Sequence, residues 1–441
     1  MQSKLDTSVQ DLVEKIKVKQ ATIGVIGLGY VGLPLALEIA KKGFQVIGFD
    51  KSYEKVKTLL RGESYIADIP EIMIREVMYN EQFVPTDVFT KLSEVDVILI
   101  CVPTPTNAQG EPNISYIIEA ASQIRKNMKE GTLVILESTT YPGTTENVVQ
   151  AILEKRDFKI GHNIFLAYSP ERVDPGNVNF TVTNTPKVVG GVTEACSEGA
   201  KIFYETILNT SVHAVRSPKV AEMEKLLENT FRHINIALVN ELSQLCHKMD
   251  IDVWEVIEAA STKPYGFMPF TPGPGVGGHC IPVDPKYLLW VGQQHGFSAT
   301  LIETADKINE TMPHFVVERL ATYLKTQAKD LREANIVIVG VAYKPNVNDL
   351  RESPALQIID SLLENQCKLQ IIDPFIDSFN TNNGFNETVA LTTELIQKAD
   401  GVLILTNHMN IDYALIDEHA SLIFDTRNTH YLFNNKNYYK L

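Results

Sequence analysis

The chain has 441 residues, 44% of them hydrophobic and 21% charged, with 54 acids against 40 bases and a formal charge of −14. This is ordinary for a globular protein with two or three full cores. The acidic balance argues against nucleic acid as a partner, since a phosphate backbone needs a basic surface. No apolar stretch is long enough for a bilayer and the first twenty residues carry no apolar signal core, so a cytoplasmic protein with no membrane partner is expected. Five scattered cysteines, without CxxC spacing, predict neither a disulfide framework nor a metal site.

Residues 1–20 predict an amphipathic helix carrying Leu12, Val13 and Ile16. Residues 22–26 read as a buried strand. It runs into Gly27-Leu-Gly29-Tyr30-Val31-Gly32, a helix over 33–42 stopped by Gly43, and a strand over 45–49 with Asp50 at its end. Gly27 allows the tight turn, Gly29 lets the backbone approach a pyrophosphate, and Gly32 lets helix and strand pack closely, with the helix N-terminus toward the phosphates. Asp50 is placed to accept from a ribose 2′-hydroxyl and would repel a 2′-phosphate. NAD is therefore favoured over NADP, although Lys51 next door works against that preference. Strand, glycine turn, helix, second strand and terminal acid fall in register, which makes this a dinucleotide fingerprint rather than an isolated GxGxxG.

The alternation continues. A strand over 95–101 ends in Val102-Pro-Thr104-Pro-Thr106, a helix covers 114–128, and a strand over 132–137 ends in Ser138-Thr139-Thr140. An apolar run at 165–168 ends in Ser169-Pro-Glu171-Arg172-Val173. Each polar turn follows the carboxyl end of a strand, the edge at which open α/β sheets bind ligands. A long helix is predicted over 219–247, where Val220, Met223, Leu226, Leu227, Phe231, Ile234, Leu238, Leu242 and Leu245 recur at three- and four-residue steps. Helices follow at 253–260 and 300–324.

Near Leu331 the α/β pattern restarts, with strands at 336–339, 369–372, 401–405 and 422–424 and a helix at 355–364. This half has no glycine fingerprint. Its first turn carries Tyr343, Lys344 and Arg351, and the two cations can pair with phosphate, so a second nucleotide, other than NAD, is expected there. The fold class expected is α/β: two Rossmann-like doubly wound parallel-sheet domains joined by a long central helix. The domain boundaries expected are 1–215, 216–325 and 326–441.

Glu222, Lys225, Asn229 and Arg232 share one stripe of the long helix. A solvated, salt-bridged face is one reading. Asn, however, gains little from a helix interior, and the stripe lies between the fingerprint and Pro272-Gly-Pro-Gly-Val-Gly277-Gly-His279-Cys280-Ile-Pro-Val-Asp284. The glycines of that run expose amides and permit close approach. Cys280 would attack a carbonyl as thiolate, a form that exposed amides and a nearby Lys favour, and Asp284 could orient a water. The alternative for Cys280 is a small packing residue in a tight turn. A cofactor that takes hydride and a cysteine that holds a carbonyl carbon together suggest oxidation of an alcohol through an aldehyde to an acid by way of a thioester.

Six motifs in one order resemble the nucleotide-sugar 6-dehydrogenases, the UDP-glucose and UDP-N-acetylhexosamine dehydrogenases. They are Gly27 to Ala36, Val102-Pro-Thr-Pro105, Pro170-Glu-Arg-Val173, the Lys225/Asn229/Arg232 stripe, Gly277 to Asp284, and Lys344 with Asp349-Leu-Arg-Glu-Ser-Pro354. The resemblance implies a four-electron oxidation of a sugar C6 alcohol with two NAD consumed. It makes Cys280 the nucleophile. Lys225 becomes the proton donor and acceptor and, with Asn229, stabilises the alkoxide-like oxygen. Asp284 and Glu171 handle the water and protons of thioester hydrolysis. The same resemblance places Tyr30, Val31, Asp50, Thr104, Thr139 and Arg351 at NAD. It places Arg172, Val173, Lys225, Asn229, Arg232, Gly277, Tyr343, Lys344 and Arg427 at the nucleotide sugar. Cations at Arg172, Lys225, Arg232 and Lys344 would reconcile an acidic chain with a diphosphate ligand. A homodimer or higher oligomer through the central helix is implied as well.

Residues 262–275 and the leader 12–17 resemble the UDP-N-acetylglucosamine branch. Tyr265, Phe267 and Met268 offer an apolar wall to an acetamido methyl, worth only ~1–3 kcal/mol of discrimination. The order expected is UDP-GlcNAc, then UDP-GalNAc or UDP-ManNAc, then UDP-glucose. A two-electron hydroxy-acid dehydrogenase would instead release one NADH and leave Cys280 expendable. A non-catalytic UDP-sugar-binding protein would bind without forming NADH.

Overall fold

The computed structural model describes residues 7–66, 69–107, 109–154, 157–173, 179–429 and 433–441; the expectation for residues 1–6 lies outside them. The chain forms two compact units, Met1–Glu228 with Lys286–Gly296, and Asn229–Pro285 with Phe297–Leu441.

The first unit is built on eight strands: β1 Thr22–Ile26, β2 Gln45–Phe49, β3 Phe83–Thr86, β4 Val97–Ile100, β5 Leu133–Leu136, β6 Phe165–Tyr168, β7 Lys187–Gly191 and β8 Val212–Val215. Their order is β3-β2-β1-β4-β5-β6-β7-β8. All pairs are parallel except β6 with β7. Continuous apolar runs such as Val-Ile-Leu-Ile in β4 and Leu-Val-Ile-Leu in β5 are fully buried, as strands covered on both faces require. Strand order reverses beside β1, which pairs β2 on one side and β4 on the other. That switch point opens a crevice at the carboxyl ends of the strands, where the Gly27–Gly32 turn lies.

The second unit carries β9 Asn335–Val339, β10 Lys368–Ile372, β11 Ser378–Thr381, β12 Gly384–Glu387, β13 Gly401–Ile404, β14 Ile423–Asp425 and β15 Tyr438–Lys440. Five of these form a parallel sheet in the order β10-β9-β13-β14-β15, and β11 and β12 form a hairpin. Its switch point, beside β9, is followed by the turn that bears Tyr343 and Lys344. The two sheets belong to Rossmann-like α/β domains connected by a long central helix.

In the chain between the sheets lie two long helices, Pro218–Lys248 and Thr300–Thr326. The first exists as its periodicity predicts, and its polar stripe, not its apolar row, is the buried side. Of the nine apolar residues that mark it, only Leu226 is buried. Val220, Met223, Leu227, Phe231, Leu238, Leu242 and Leu245 are exposed, while Glu222, Lys225, Asn229, His233, Asn240 and Ser243 are buried. No described helix is long and apolar enough to cross a membrane.

Candidate active site

The fingerprint turn is fixed sterically. Gly27 has φ +94°, and a Cβ there would stand 2.6 Å from the Cys101 carbonyl oxygen. A Cβ on Gly32 would stand 1.9 Å from the Gly27 oxygen, whereas on Gly29 it would meet nothing within 4 Å. Gly27 and Gly32 therefore shape the turn, and Gly29 leaves its outer surface open. Asp50 is buried, and its carboxylate accepts from the amides of Leu28 (3.0 Å) and Ser52 (2.9 Å) and from Lys55 Nζ (3.4 Å). It thereby pins the glycine turn to the end of β2. Lys51 pairs with Glu119 (3.3 Å) and lies over the Tyr116 ring at 4.6 Å. A cavity of about 260 Å³ opens here, lined by Gly27, Asp50, Lys51, Ser52, Val102 and Tyr116 among others. Glycine turn, terminal acid and mixed apolar lining fit the adenosine half of a dinucleotide. On the same unit, Tyr30 is exposed, Val31 and Thr139 are half-buried, and Thr104 is buried with its carbonyl accepting from the Tyr287 hydroxyl.

The turn after β6 gathers charge. Lys225 Nζ donates to the Glu171 carbonyl at 2.5 Å. Glu171 Oε1 accepts from the amides of Arg172 (2.7 Å) and Val173 (2.6 Å). Burial pushes the Glu171 carboxyl upward, but the Lys187 ammonium, the Val173 amide and Lys225 overcome it, and its pKa is lowered. Arg172 binds Glu228, approaches Glu224 at 3.6 Å and donates to the Pro186 carbonyl at 2.8 Å. Burial and the neighbouring Glu228 raise the Glu224 pKa to about 7. One turn earlier, Glu222 accepts from the amides of Gly143 (2.5 Å) and Thr145 (2.9 Å) and from the Thr145 hydroxyl (2.7 Å). Glu222 and Lys225 are thus tied to the turns that follow β5 and β6.

In the second unit Asn229 Nδ2 donates to Asp284 Oδ2 at 2.5 Å. Asp284 opens the helix Asp284–Gln294, and its amide donates to the Cys280 carbonyl at 2.9 Å, so nucleophile candidate and carboxylate are one turn apart. Cys280 is half-buried. The glycine loop ahead of it packs on the turn after β9. A Cβ on Gly277 would stand 2.7 Å from Tyr343 Cβ, and the Gly278 amide donates to the Arg351 carbonyl at 2.9 Å. Arg351 pairs with Asp349 at 2.6 Å, and Lys344 Nζ lies 5.6 Å from the Tyr343 ring centre. Gly273 abuts the Arg427 guanidinium, whose Nε donates to the Leu405 carbonyl at 2.7 Å. Desolvation pulls the Arg427 pKa down to about 10, still protonated at neutral pH. Burial lowers the His279 pKa. Arg232, grouped with Lys225 and Asn229 by spacing, is exposed.

Three residues here gave no sequence signal. Glu137 directly follows β5, Lys187 opens β7 and Tyr204 lies on the helix Glu194–Ile207; all are buried. Lys187 Nζ contacts Glu137 at 2.7 Å and Glu171 at 3.5 Å. Tyr287 was missed too. Its position three residues after Asp284 was the available clue.

A Rossmann crevice with its glycine turn and terminal acid, and a second sheet whose first turn carries cations beside a cysteine loop, define a nucleotide-dependent dehydrogenase. Residues 21–208 match the NAD-binding domain of the UDP-glucose/GDP-mannose dehydrogenase family, 219–311 its central domain and 337–431 its UDP-binding domain. The chain belongs to this family and is an NAD-dependent UDP-sugar dehydrogenase. It is 37% identical to UDP-N-acetyl-D-mannosamine dehydrogenase of Campylobacter jejuni, over 87% of this chain and 94% of that protein. It is 34% identical to UDP-N-acetyl-D-glucosamine 6-dehydrogenase of Pseudomonas aeruginosa, over 89% and 91%. The solved UDP-D-ManNAc dehydrogenase from Pyrococcus horikoshii superposes with a TM-score of 0.84 at 32% identity, covering 95% of this chain and 98% of that one.

Proposed function

We propose that the protein oxidises the C6 alcohol of a UDP-N-acetylhexosamine to the uronic acid, releasing two NADH, with Cys280 as the covalent nucleophile. The observation that carries this reading is the Cys280 loop, held against Tyr343 and Arg351 and followed one turn later by the Asn229–Asp284 pair. NAD bound at the fingerprint supplies the hydride acceptor in each of two oxidations. Lys225 takes the alcohol proton as the C6 hydride leaves, giving the aldehyde. Cys280 sulfur adds to the aldehyde carbon, and its oxygen takes a proton to form the thiohemiacetal. Loss of that proton and a second hydride leaves a thioester. Asp284 orients the water that adds to the thioester carbon, breaks the C–S bond and frees the carboxylate and the thiol. Asn229 holds the Asp284 carboxylate and, with Lys225, donates to the developing oxyanion, a contribution commonly worth ~2.7–4 kcal/mol per donor.

The relative named for the manno epimer is 37% identical and the one named for the gluco epimer 34%. The order expected from the 262–275 loop is therefore reversed in this proposal: UDP-ManNAc, then UDP-GlcNAc. Tyr265 and Met268 are exposed and give that loop little means to discriminate. For the nucleotide sugar we assign Arg172, Val173, Gly277, Tyr343, Lys344 and Arg427, and for NAD Tyr30, Val31, Asp50, Thr104, Thr139 and Arg351, by family carry-over. The domain division at 215/216 and 325/326 belongs to this proposal too. The exposed apolar row of the helix Pro218–Lys248 supports self-association, since apolar side chains recurring along one helix face suit an interaction surface.

A panel of UDP-sugars with NAD tests the reading. Two NADH per sugar are expected, fastest with UDP-ManNAc, and no turnover in Cys280→Ala. One NADH per sugar with the aldehyde released, or a Cys280→Ala variant at the wild-type rate, overturns it.

A further inference from the structure

The mechanism above leaves unused a cluster of buried ionisable groups in the first unit. Glu137, Lys187 and Tyr204 are buried, at 1%, 4% and 0% exposure. Lys187 Nζ sits 2.7 Å from Glu137 Oε2 and 3.5 Å from Glu171 Oε2, and it donates to the Pro170 carbonyl at 3.1 Å. The Tyr204 hydroxyl donates to the other oxygen of Glu137, and the Tyr204 ring lies 5.2 Å from the ammonium. The buried Cys101 thiol, after β4, and the Lys225 ammonium are the remaining titratable neighbours. A lone ion pair would satisfy Lys187 with Glu137 only. Here one ammonium is shared by two carboxylates that follow adjacent strands, β5 and β6.

That sharing has a consequence at the turn after β6. With Oε1 taken by two backbone amides and Oε2 facing Lys187, the Glu171 carboxylate clamps its own turn from both sides. The carbonyl of the same residue receives the Lys225 ammonium. The environments also separate the two acids. Burial raises Glu137 despite Lys187, whereas Glu171 is lowered, and Lys187 itself is raised by both acids against the cost of burial. Carboxyls driven apart in this way hold different jobs. Glu171, the acid whose pKa is lowered, anchors its own turn.

We propose that Lys187 is a positioning residue of the dehydrogenase: bridging Glu137 and Glu171, it fixes the Pro170–Val173 turn and, through the Glu171 carbonyl, the place of the Lys225 ammonium. This rests on the reading that Lys225 acts on the substrate alcohol.

The experiment uses full-length Lys187→Met and the double variant Glu137→Gln/Lys187→Met. Melting temperature, kcat and KM against pH, and the titration of Glu171 by carboxyl-carbon NMR (assigned with Glu171→Gln) are read. Lys187→Met is expected to lower kcat about 10–100-fold, as small misplacements do, and to move the Glu171 midpoint upward. The double variant removes a matched pair, so its melting temperature should recover toward wild type while kcat and the Glu171 midpoint do not. An unmoved Glu171 midpoint overturns the bridging claim and leaves the role of Lys225 standing. A moved midpoint with wild-type kcat overturns the positioning claim by showing that the turn does not serve the chemistry. Full recovery of kcat in the double variant overturns it as well, since Lys187 would then only neutralise Glu137.

Discussion

The side-chain amide of Asn229 donates to the carboxylate of Asp284 at 2.5 Å, fastening the long helix to the residue one turn beyond Cys280. An amide N–H orients a carboxylate without neutralising it, as the proposed water-orienting role of Asp284 requires. In Asp284→Ala, hydrolysis of the acyl enzyme should slow about 10²–10⁴-fold, the usual worth of a positioned acid or base. The two oxidations should then run once and stop. Rapid mixing is expected to show a burst of two NADH per Cys280, followed by a stall. Steady turnover without a burst counts against the assignment.

The fingerprint separates folding from binding. Ala at Gly32 would place a methyl 1.9 Å from the Gly27 oxygen. Gly32→Ala should therefore cost about 1–3 kcal/mol of stability, the range for overpacking, measured by urea unfolding. Gly29→Ala has free space around it and should keep the wild-type midpoint while weakening NAD binding in a fluorescence titration. Equal destabilisation of both variants would contradict the division.

Glu224 is held by burial and Glu228 at a pKa near 7, above the ordinary 4.5. A carboxyl raised in the folded state favours folding below its unfolded pKa, and that contribution is lost as pH rises through the folded value. Between about pH 4.5 and 7 this group should progressively destabilise the protein. Glu224→Gln should melt higher than wild type at pH 8, with the difference vanishing near pH 4.5. A gap that is constant with pH would refute this.

Met223 and Leu227 are exposed on the same face of the long helix. Met223→Glu/Leu227→Glu should reduce the oligomer in sedimentation experiments without changing the melting cooperativity of the separated chain. A wild-type protein that sediments as a monomer at micromolar concentration would rule out this face as an interface.

The elements were legible wherever periodicity and chain breakers agreed. Residues 22–50 declare strand, turn, helix and strand, and the structure places each as read. The direction of the long helix was not legible. Its apolar spacing marks a helix but cannot say whether that face meets the core or another surface, and here Glu222, Lys225 and Asn229 take the inner side. Cys280 and Asp284 stood out because they lie in a glycine-dense run, and Lys225 because it shares a helical stripe with Asn229. Lys187 and Glu137 did not, since a charge flanking an apolar run reads as a strand end. Only the fold reveals that β5, β6 and β7 bring them together. Arg232 shows the opposite error, because helical spacing grouped it with buried residues although it is exposed and its neighbour His233 takes the buried side.

The chain leaves the first unit after Glu228, returns for Lys286–Gly296, and leaves again. That eleven-residue excursion supplies the Tyr287 hydroxyl to the Thr104 carbonyl and sets the Trp290 ring 4.8 Å from Tyr141. A ribosome must therefore have released nearly 300 residues before the amino-terminal unit can close. A proteolytic fragment ending at 228 would be missing part of its own wall, and severing the polypeptide once cannot yield two self-sufficient halves.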